Sequence, residues 1–302
     1  MTRHSYRDFP MPTSIAGQTR RWLDTPEAER TVAPARPSAT VLLVREAAGG
    51  AEPGGAVEVF VLRRAAGMAF AGGMLAFPGG GVDARDVDPT LPWAGPDAVE
   101  WARRLAVAEP VARELVIAAA REVFEECGVL LAGPTDTEVV ADLTDPSWDR
   151  EREALLDRSQ SFAEMLTRLE LVLRTDLLAL RGHWTTPTCE PRRYDTRFFA
   201  ARMPDGQVAD DRSSEAEVAG WATPAEILRA QSEGREILLP PTQVMVEQLA
   251  LVPDGGLDHW LTRPVPVHPV QPWPVEHSGA LWMRSPVGPD GHGVPTGAEV
   301  DR

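Results

Sequence analysis

The chain has 302 residues, of which 43% are hydrophobic and 25% are charged. That length and composition can bury a substantial core, which excludes disorder throughout. Its 45 acidic and 30 basic residues give a net charge of −15, and every basic residue is arginine. Because neutralisation of phosphates dominates nonspecific nucleic-acid binding, an acidic chain without a basic block predicts no nucleic-acid partner and no anionic membrane partner.

No apolar run reaches the ~18 residues of a membrane-spanning helix. The N-terminal stretch also lacks the apolar centre of a signal peptide. We therefore expect a cytoplasmic protein, and the use of arginine without lysine is typical of a GC-rich bacterial genome. The two cysteines, Cys127 and Cys189, are too few for a disulfide framework and are expected to be buried thiols.

The first 36 residues are polar and show no sustained period, which predicts an N-terminal arm. Apolar runs and alternation predict strands at 39–44, 56–64, 74–77, 176–180, 196–203 and 217–221. Helical spacing predicts helices at 110–127, 161–174, 224–231 and 240–252. The segment 84–109 mixes acids, prolines and tryptophans and is interpreted as an insertion. This order of elements predicts an α/β fold.

Beyond residue 252 the chain is dense in proline and glycine, which predicts an irregular C-terminal extension over 253–302. The pattern thus predicts one domain over 37–252, between the arm at 1–36 and this extension. Both terminal segments permit a homodimer.

Three carboxylates cluster on the helix predicted at 110–127. Glu122, Glu125 and Glu126 fall within an arc of roughly 100° at 3.6 residues per turn. Like charges at these spacings repel, and they lie toward the helix C-terminus, where anions are disfavoured. The cluster therefore needs either open water, as on an ordinary solvated helix face, or a cation.

A glycine run favours the cation. Gly79 and Gly80 follow the short strand at 74–77, and glycines let the backbone approach a phosphate or a metal closely. Mg²⁺ prefers oxygen ligands, commonly carboxylates together with substrate phosphates. A plain turn is the alternative for the glycines.

The sequence resembles the Nudix hydrolase family, whose box reads G-x5-E-x7-R-E-U-x-E-E-x-G-U, where U is aliphatic. The second half of the box matches at every specified position: Arg121, Glu122, Val123, Glu125, Glu126, Gly128 and Val129. The first half departs, because 40 residues separate Gly80 from Arg121 where the family has 13. Arg113 stands in place of the first box glutamate, with Glu114 beside it.

An insertion at this point of the box resembles the peroxisomal coenzyme A diphosphatase branch of the family. Runs at 184–187, 193–199, 217–221 and 239–242 agree with that branch, and the resemblance covers residues 36 to 252. The branch's upstream coenzyme A signature aligns with residues 64–80, but its inner Arg and His are replaced by Ala69 and Ala71.

The resemblance implies an α/β/α Nudix sandwich with a mixed sheet and a small-molecule substrate, a nucleoside diphosphate derivative. It implies Glu122, Glu125 and Glu126 as ligands of Mg²⁺ or Mn²⁺, Glu122 also as general base, and Arg121 as the residue that orients carboxylates. Glu217, or Glu215, is the candidate for a further metal ligand.

Gly79 and Gly80 would place backbone near the diphosphate. Three arginines are candidates for gripping phosphate through bidentate contacts: Arg64, Arg193 and Arg197. A structural or surface role is the alternative for each of these arginines.

The implied activity is metal-dependent hydrolysis of coenzyme A or acyl-coenzyme A to 3′,5′-ADP and a phosphopantetheine product. Hydrolysis of ADP-ribose or of another nucleoside diphosphate derivative is the second hypothesis. A non-catalytic module that binds a nucleotide metabolite is the third, although such a module has no need of all three box glutamates.

Overall fold

The structure is a computed structural model that describes residues 6–47, 55–65, 67, 71–210, 216–288 and 291–294, except for the side chains of Ala216 and Glu217. The strands are β1 (Arg7–Pro10), β2 (Ala35–Glu46), β3 (Val57–Arg64), β4 (Leu75–Ala76), β5 (Gly79–Gly81), β6 (Trp93–Ala94), β7 (Ala132–Gly133), β8 (Val172–Arg174), β9 (Ala179–Thr185), β10 (Arg193–Arg202), β11 (Ala216–Ala222), β12 (Pro269–Val270), β13 (Trp273–His277) and β14 (Ala280–Ser285). The helices are α1 (Thr13–Asp24), α2 (Ala98–Leu105), α3 (Glu109–Cys127), α4 (Pro146–Leu156), α5 (Phe162–Arg168), α6 (Pro224–Ser232), α7 (Pro240–Ala250) and α8 (Leu257–Thr262).

The central sheet is mixed and has the strand order β11-β3-β2-β10-β9-β12, with β4 added beside β3 and β5 beside β2. Strands β2 and β10 are parallel, whereas β3 and β5 run antiparallel to β2. Along β2, Val41 and Leu43 face one hydrophobic cluster while Leu42 and Val44 face another. A strand buried on both faces reads as a continuous apolar run, which explains the pattern at 39–44.

Helices cover both faces of this sheet. Buried residues of α2, α3 and α5 belong to the cluster on one face, and those of α6, α7 and α8 belong to the cluster on the other. This layering confirms the predicted α/β/α sandwich. Both cysteines are buried free thiols, as expected. Among the described residues, no helix combines the length and apolar character needed to cross a membrane.

Helix α3 begins with a proline in its first turn and ends against Gly128, whose φ of 70° is left-handed. The insertion folds against it through α2, where Trp101 is completely buried. Arg113 donates to the carbonyls of Asp88 and Leu91 and stacks on Trp93. The arginine that replaces the first box glutamate therefore anchors the insertion.

The prediction of one helix over 161–174 is wrong in its second half. Helix α5 ends at Arg168, Glu170 adopts a left-handed φ of 55°, and Val172–Arg174 form β8. A strand at 176–180 is also displaced, since β9 begins at Ala179. The pairing of β8 with β6 and β7 makes residues 172–174 a strand. The helical spacing of apolar residues carries no information about such pairing.

The terminal segments contain regular elements that the sequence pattern did not predict. Strand β14 lies between β1 and β13, so the two ends of the chain share one three-stranded sheet. Phe9 of β1 enters the cluster that holds α7, and Arg7 forms an ion pair with Glu247 of α7. Both ends therefore pack against the central domain.

Candidate active site

The two halves of the split box lie together in space. Strand β5 runs against the carboxylate face of α3, and the Gly79 N–H donates to Glu126 Oε2 at 2.7 Å. Gly80 is so close that a Cβ placed on it would lie 2.5 Å from Glu122 Oε1. The glycines thus meet the carboxylates despite the 40 intervening residues, and the plain-turn alternative does not describe them.

All three box carboxylates are buried. Glu122 and Glu125 are each 8% exposed and Glu126 is 5% exposed. A solvated acidic face is therefore wrong for this helix. Unpaired charges in such a position are costly, so either a cation or protonation must compensate them.

Arg121 is the cation that the structure provides. Its Nη1 lies 2.8 Å from Glu122 Oε1 and 2.9 Å from Glu125 Oε2. Its other two nitrogens donate to the Asp86 carboxylate at 2.8 and 3.0 Å, and Nη2 also donates to the Gly81 carbonyl. Arg121 therefore bridges two of the box carboxylates and is itself hydrogen-bonded to Asp86 of the insertion.

Burial controls the electrostatics of this cluster. Burial raises the pKa of Glu122 to about 7; Arg121 opposes the shift and the Glu125 charge reinforces it. The pKa of Glu125 is raised by the same cause. Burial by itself would lower the pKa of Arg121, but the surrounding carboxylates outweigh it and the net pKa is raised. Arg121 stays charged throughout the physiological range.

The donor set fits a divalent metal ion in its chemistry. Carboxylate oxygens are the ligands that Mg²⁺ and Mn²⁺ take, and Glu125 Oε1 is buried without a hydrogen-bond partner among the described residues. In the described ranges no three His, Cys, Asp or Glu side chains are already gathered closely enough to hold a metal. Glu215 and the Glu217 side chain lie outside the described residues, so a further ligand there stays a prediction.

A cleft of about 580 Å³ opens beside β5. Its walls come from the glycine strand, the facing ends of β9 and β10, the start of α7, helix α1 and the hairpin of β13 and β14. Arg64 at the end of β3 lines this cleft, and its role as a substrate contact stays a prediction. Exposed Arg192 also lines it, and the sequence interpretation missed this residue.

Arg193 and Arg197 do not line the cleft, which corrects their prediction as substrate contacts. Arg193 donates to the carbonyls of Thr186 and Ala33. Arg197 is 3% exposed and pairs with Asp195 at 2.8 Å. These contacts support the structural alternative, in which each guanidinium ties neighbouring segments together.

Two further residues that support the site were missed. Asp86 is completely buried beneath Arg121; its sequence signal is the Asp83-x-x-Asp86 capping box. Arg152 of α4 donates to the Glu125 carbonyl at 2.7 Å and so caps the C-terminal end of α3. Arg152 is one of two arginines in a helix of alternating charges, and that pattern gives no sequence signal of its role.

Gly80→Ala is expected to lower kcat by tenfold or more, because the new methyl group would displace the Glu122 carboxylate. Gly81→Ala is the matched control, since its Cβ would meet nothing nearer than the Pro37 carbonyl at 4.0 Å. Steady-state kinetics and thermal unfolding of both variants test this. Equal kcat values for the two would contradict the close approach of Gly80 to Glu122.

The fold and the site together define the class: an α/β/α sandwich in which a glycine strand meets a buried R-E-x-x-E-E helix is a Nudix hydrolase. A model of the NUDT19 Nudix domain matches residues 97–249. The chain therefore belongs to this family. Strand β5 and Arg64 precede the matched residues. Nudix hydrolases generally use divalent metals.

Curated relatives agree with this assignment. The chain is 28% identical over 139 residues to the acyl-coenzyme A diphosphatase NUDT19 of Xenopus laevis, a match that covers 42% of this chain and 36% of the relative. It is 26% identical over 199 residues to the putative nudix hydrolase 7 of Caenorhabditis elegans, covering 66% of this chain and 58% of the relative. The matches thus span less than two thirds of either relative.

A solved structure confirms the fold. The crystal structure of a Nudix hydrolase from Alicyclobacillus acidocaldarius superposes with a TM-score of 0.63 at 24% sequence identity. The alignment covers 78% of this chain and the whole of that chain.

Proposed function

We propose that this chain is a divalent-metal-dependent diphosphatase that hydrolyses coenzyme A or acyl-coenzyme A to 3′,5′-ADP and (acyl-)phosphopantetheine. The observation that carries the proposal is that a glycine strand lining the cleft packs against the buried carboxylate helix, with Gly79 hydrogen-bonded to Glu126 and Gly80 close to Glu122. The similarity to the acyl-coenzyme A diphosphatase of Xenopus laevis supports the coenzyme A substrate.

The proposed roles follow from these contacts. Glu122, Glu125 and Glu126 would hold Mg²⁺ or Mn²⁺, which supplies neutralisation of the charge that develops on the diphosphate. Glu122, beside Gly80, accepts the proton of the attacking water. Arg121 keeps Glu122 and Glu125 oriented. The water oxygen bonds to one phosphorus as the bridging P–O bond breaks, and two phosphate products leave.

Substrate contacts come from the glycines and Arg64, which line the cleft. The Gly79 N–H donates to Glu126 rather than to the substrate. Strand β5 therefore contributes by letting the diphosphate approach its backbone closely. Arg64 supplies positive charge for phosphate. The cytoplasmic location, the homodimer and the division of the chain at residues 36 and 253 stay predictions.

ADP-ribose, or another nucleoside diphosphate derivative, is the second candidate substrate. One sequence observation favours it: the inner Arg and His of the coenzyme A signature are replaced by Ala69 and Ala71. Ala69 lies outside the described residues, whereas Ala71 lines the cleft and offers only a methyl group there.

An assay of the full chain with Mg²⁺ or Mn²⁺ separates these functions. Coenzyme A, acetyl-coenzyme A, ADP-ribose, NADH and nucleoside triphosphates are incubated separately, and products are identified by mass spectrometry. We expect 3′,5′-ADP from coenzyme A, loss of the activity in EDTA and its return when the metal is restored. Cleavage of ADP-ribose but not of coenzyme A would select the second candidate. Binding of substrates without any turnover would favour a regulatory module.

A further inference from the structure

Glu190 is a buried carboxylate at the cleft that lies outside the Nudix box. It belongs to the loop between β9 and β10, is 9% exposed and lines the cleft. Gln18 of α1 donates to its Oε2 at 3.0 Å. Its Oε1 is buried and has no hydrogen-bond partner among the described residues. A buried carboxylate with one unsatisfied oxygen costs folding free energy. The presence of such a group at the cleft therefore needs a physical reason.

Among the described residues, no cation is paired with the Glu190 carboxylate. Burial raises the pKa of Glu190, and the hydrogen bond from Gln18 only partly opposes the shift. The guanidinium of nearby Arg193 donates instead to the carbonyls of Thr186 and Ala33. The Glu190 carboxylate is therefore a buried hydrogen-bond acceptor with one oxygen that no described residue satisfies.

The loop that carries Glu190 is held firmly against the N-terminal helix. Cys189, next to Glu190, is buried close to Thr19 of α1, which is completely buried. Gln18, one residue earlier on the same helix, reaches Glu190. Ser14 and Ile15 of α1 line the same cleft. The N-terminal segment therefore builds the wall in which Glu190 sits.

Sheet register separates Glu190 from the carboxylate cluster. Gly80 pairs with Ala39 of β2, whereas Arg193, at the start of β10, pairs with Ala35. Four residues of β2 correspond to about 13 Å at ~3.3 Å per residue. Because Glu190 precedes Arg193, its loop lies beyond that end of the sheet. A substrate whose diphosphate lies at Gly80 would need a further group to reach it.

We propose that Glu190, held by Gln18, accepts a hydrogen bond from an N–H group of the substrate beyond its diphosphate and thereby determines substrate specificity. The inference rests on the proposed function. A carboxylate repels phosphate, so the position directly beside Glu190 accepts an uncharged group of the substrate, while the exposed guanidinium of Arg192 lines the same cleft. Two sources carry such a group: the exocyclic amine of an adenine base and the amides of an acyclic arm.

Glu190→Met is the test variant, because it removes the acceptor and keeps a similar length. Three substrates distinguish the sources: coenzyme A, which carries both groups; ADP-ribose, which carries only the base amine; and an ADP-ribose analogue with unsubstituted purine, which carries neither. Glu153→Met is the control, since Glu153 is exposed on α4.

We expect Glu190→Met to raise KM about tenfold or more for substrates with the donor, while kcat stays within about twofold. An effect on coenzyme A and ADP-ribose but not on the purine analogue identifies the base amine. An effect on coenzyme A alone identifies the amides. Glu190→Gln should restore part of the affinity, because an amide oxygen still accepts. The melting temperature should not fall, since the substitution removes a buried unsatisfied atom.

An equal change for all three substrates, or no change for any, would overturn the proposal. If the wild-type chain hydrolyses none of them, the proposed function fails and calorimetric binding of coenzyme A without metal decides the inference. An affinity for coenzyme A about tenfold weaker in Glu190→Met than in the wild type would then support the assignment of Glu190 as a binding residue. Equal affinity, or no binding to the wild type, would overturn the assignment of Glu190.

Discussion

Glu122→Gln is expected to lower kcat by about a hundredfold to ten-thousandfold, the range that a positioned general base contributes. The substitution removes the proton acceptor and a charged metal ligand, yet it keeps the shape that packs beside Gly80. The buried carboxylate already has a raised pKa, so a neutral amide should be tolerated by the fold. Single-turnover kinetics with coenzyme A in saturating Mg²⁺ measure the effect.

Glu109→Gln is the matched control for this prediction. Glu109 starts the same helix, is exposed and lies outside the carboxylate cluster. Its variant should keep kcat within about twofold of the wild type. If Glu122→Gln retained the kcat of this control on every substrate that the wild type cleaves, the assigned chemistry would be wrong.

Asp86→Ala should reduce the free energy of unfolding by about 3 kcal/mol, the lower end of the cost of breaking a buried ion pair, because Arg121 keeps Glu122 and Glu125 as partners. Asp86 is completely buried and receives two hydrogen bonds from Arg121. Without it, Arg121 loses the partner that fixes its position between Glu122 and Glu125. The Mg²⁺ concentration for half-maximal activity should therefore also rise. Urea denaturation and metal titration measure the two effects.

A surface ion pair supplies the comparison for Asp86. Arg20 and Glu276 lie 3.2 Å apart with side chains 44% and 48% exposed. Glu276→Ala should therefore change the free energy of unfolding by less than about 1 kcal/mol. A similar urea midpoint for both alanine variants would show that the Asp86 pair does not hold the site.

Much of the fold follows from local pattern. The apolar run at 39–44 predicted a strand, and Val41 to Val44 of β2 point alternately into two clusters. Helix α3 was predicted to within one residue at its N-terminus, because Pro110 and Gly128 mark its ends. The helix predicted over 161–174 was wrong in its second half, because the pairing of β8 with distant strands overrides the helical spacing of the apolar residues.

The terminal segments show why composition misleads here. Proline and glycine are dense after residue 252, yet β13 and β14 form a hairpin that also pairs with β1. Such pairing joins residues more than 270 positions apart, as between Arg7 and Ser285. No window of local sequence contains that information, and the cleft wall that contains Gln18 depends on it.

The sequence by itself indicated the family and the carboxylate helix, because the second half of the box keeps its fixed spacing. Tertiary structure decided that Gly79 and Gly80 form a strand against that helix, since 40 residues separate Gly80 from Arg121. Tertiary structure alone decided that Asp86 holds Arg121, that Glu190 lines the cleft beside Gln18 and that Arg193 and Arg197 turn away from it. The physical reason is burial. The role of a buried charged side chain depends on the polar groups that replace its bound water. Those groups come from positions far apart in the chain.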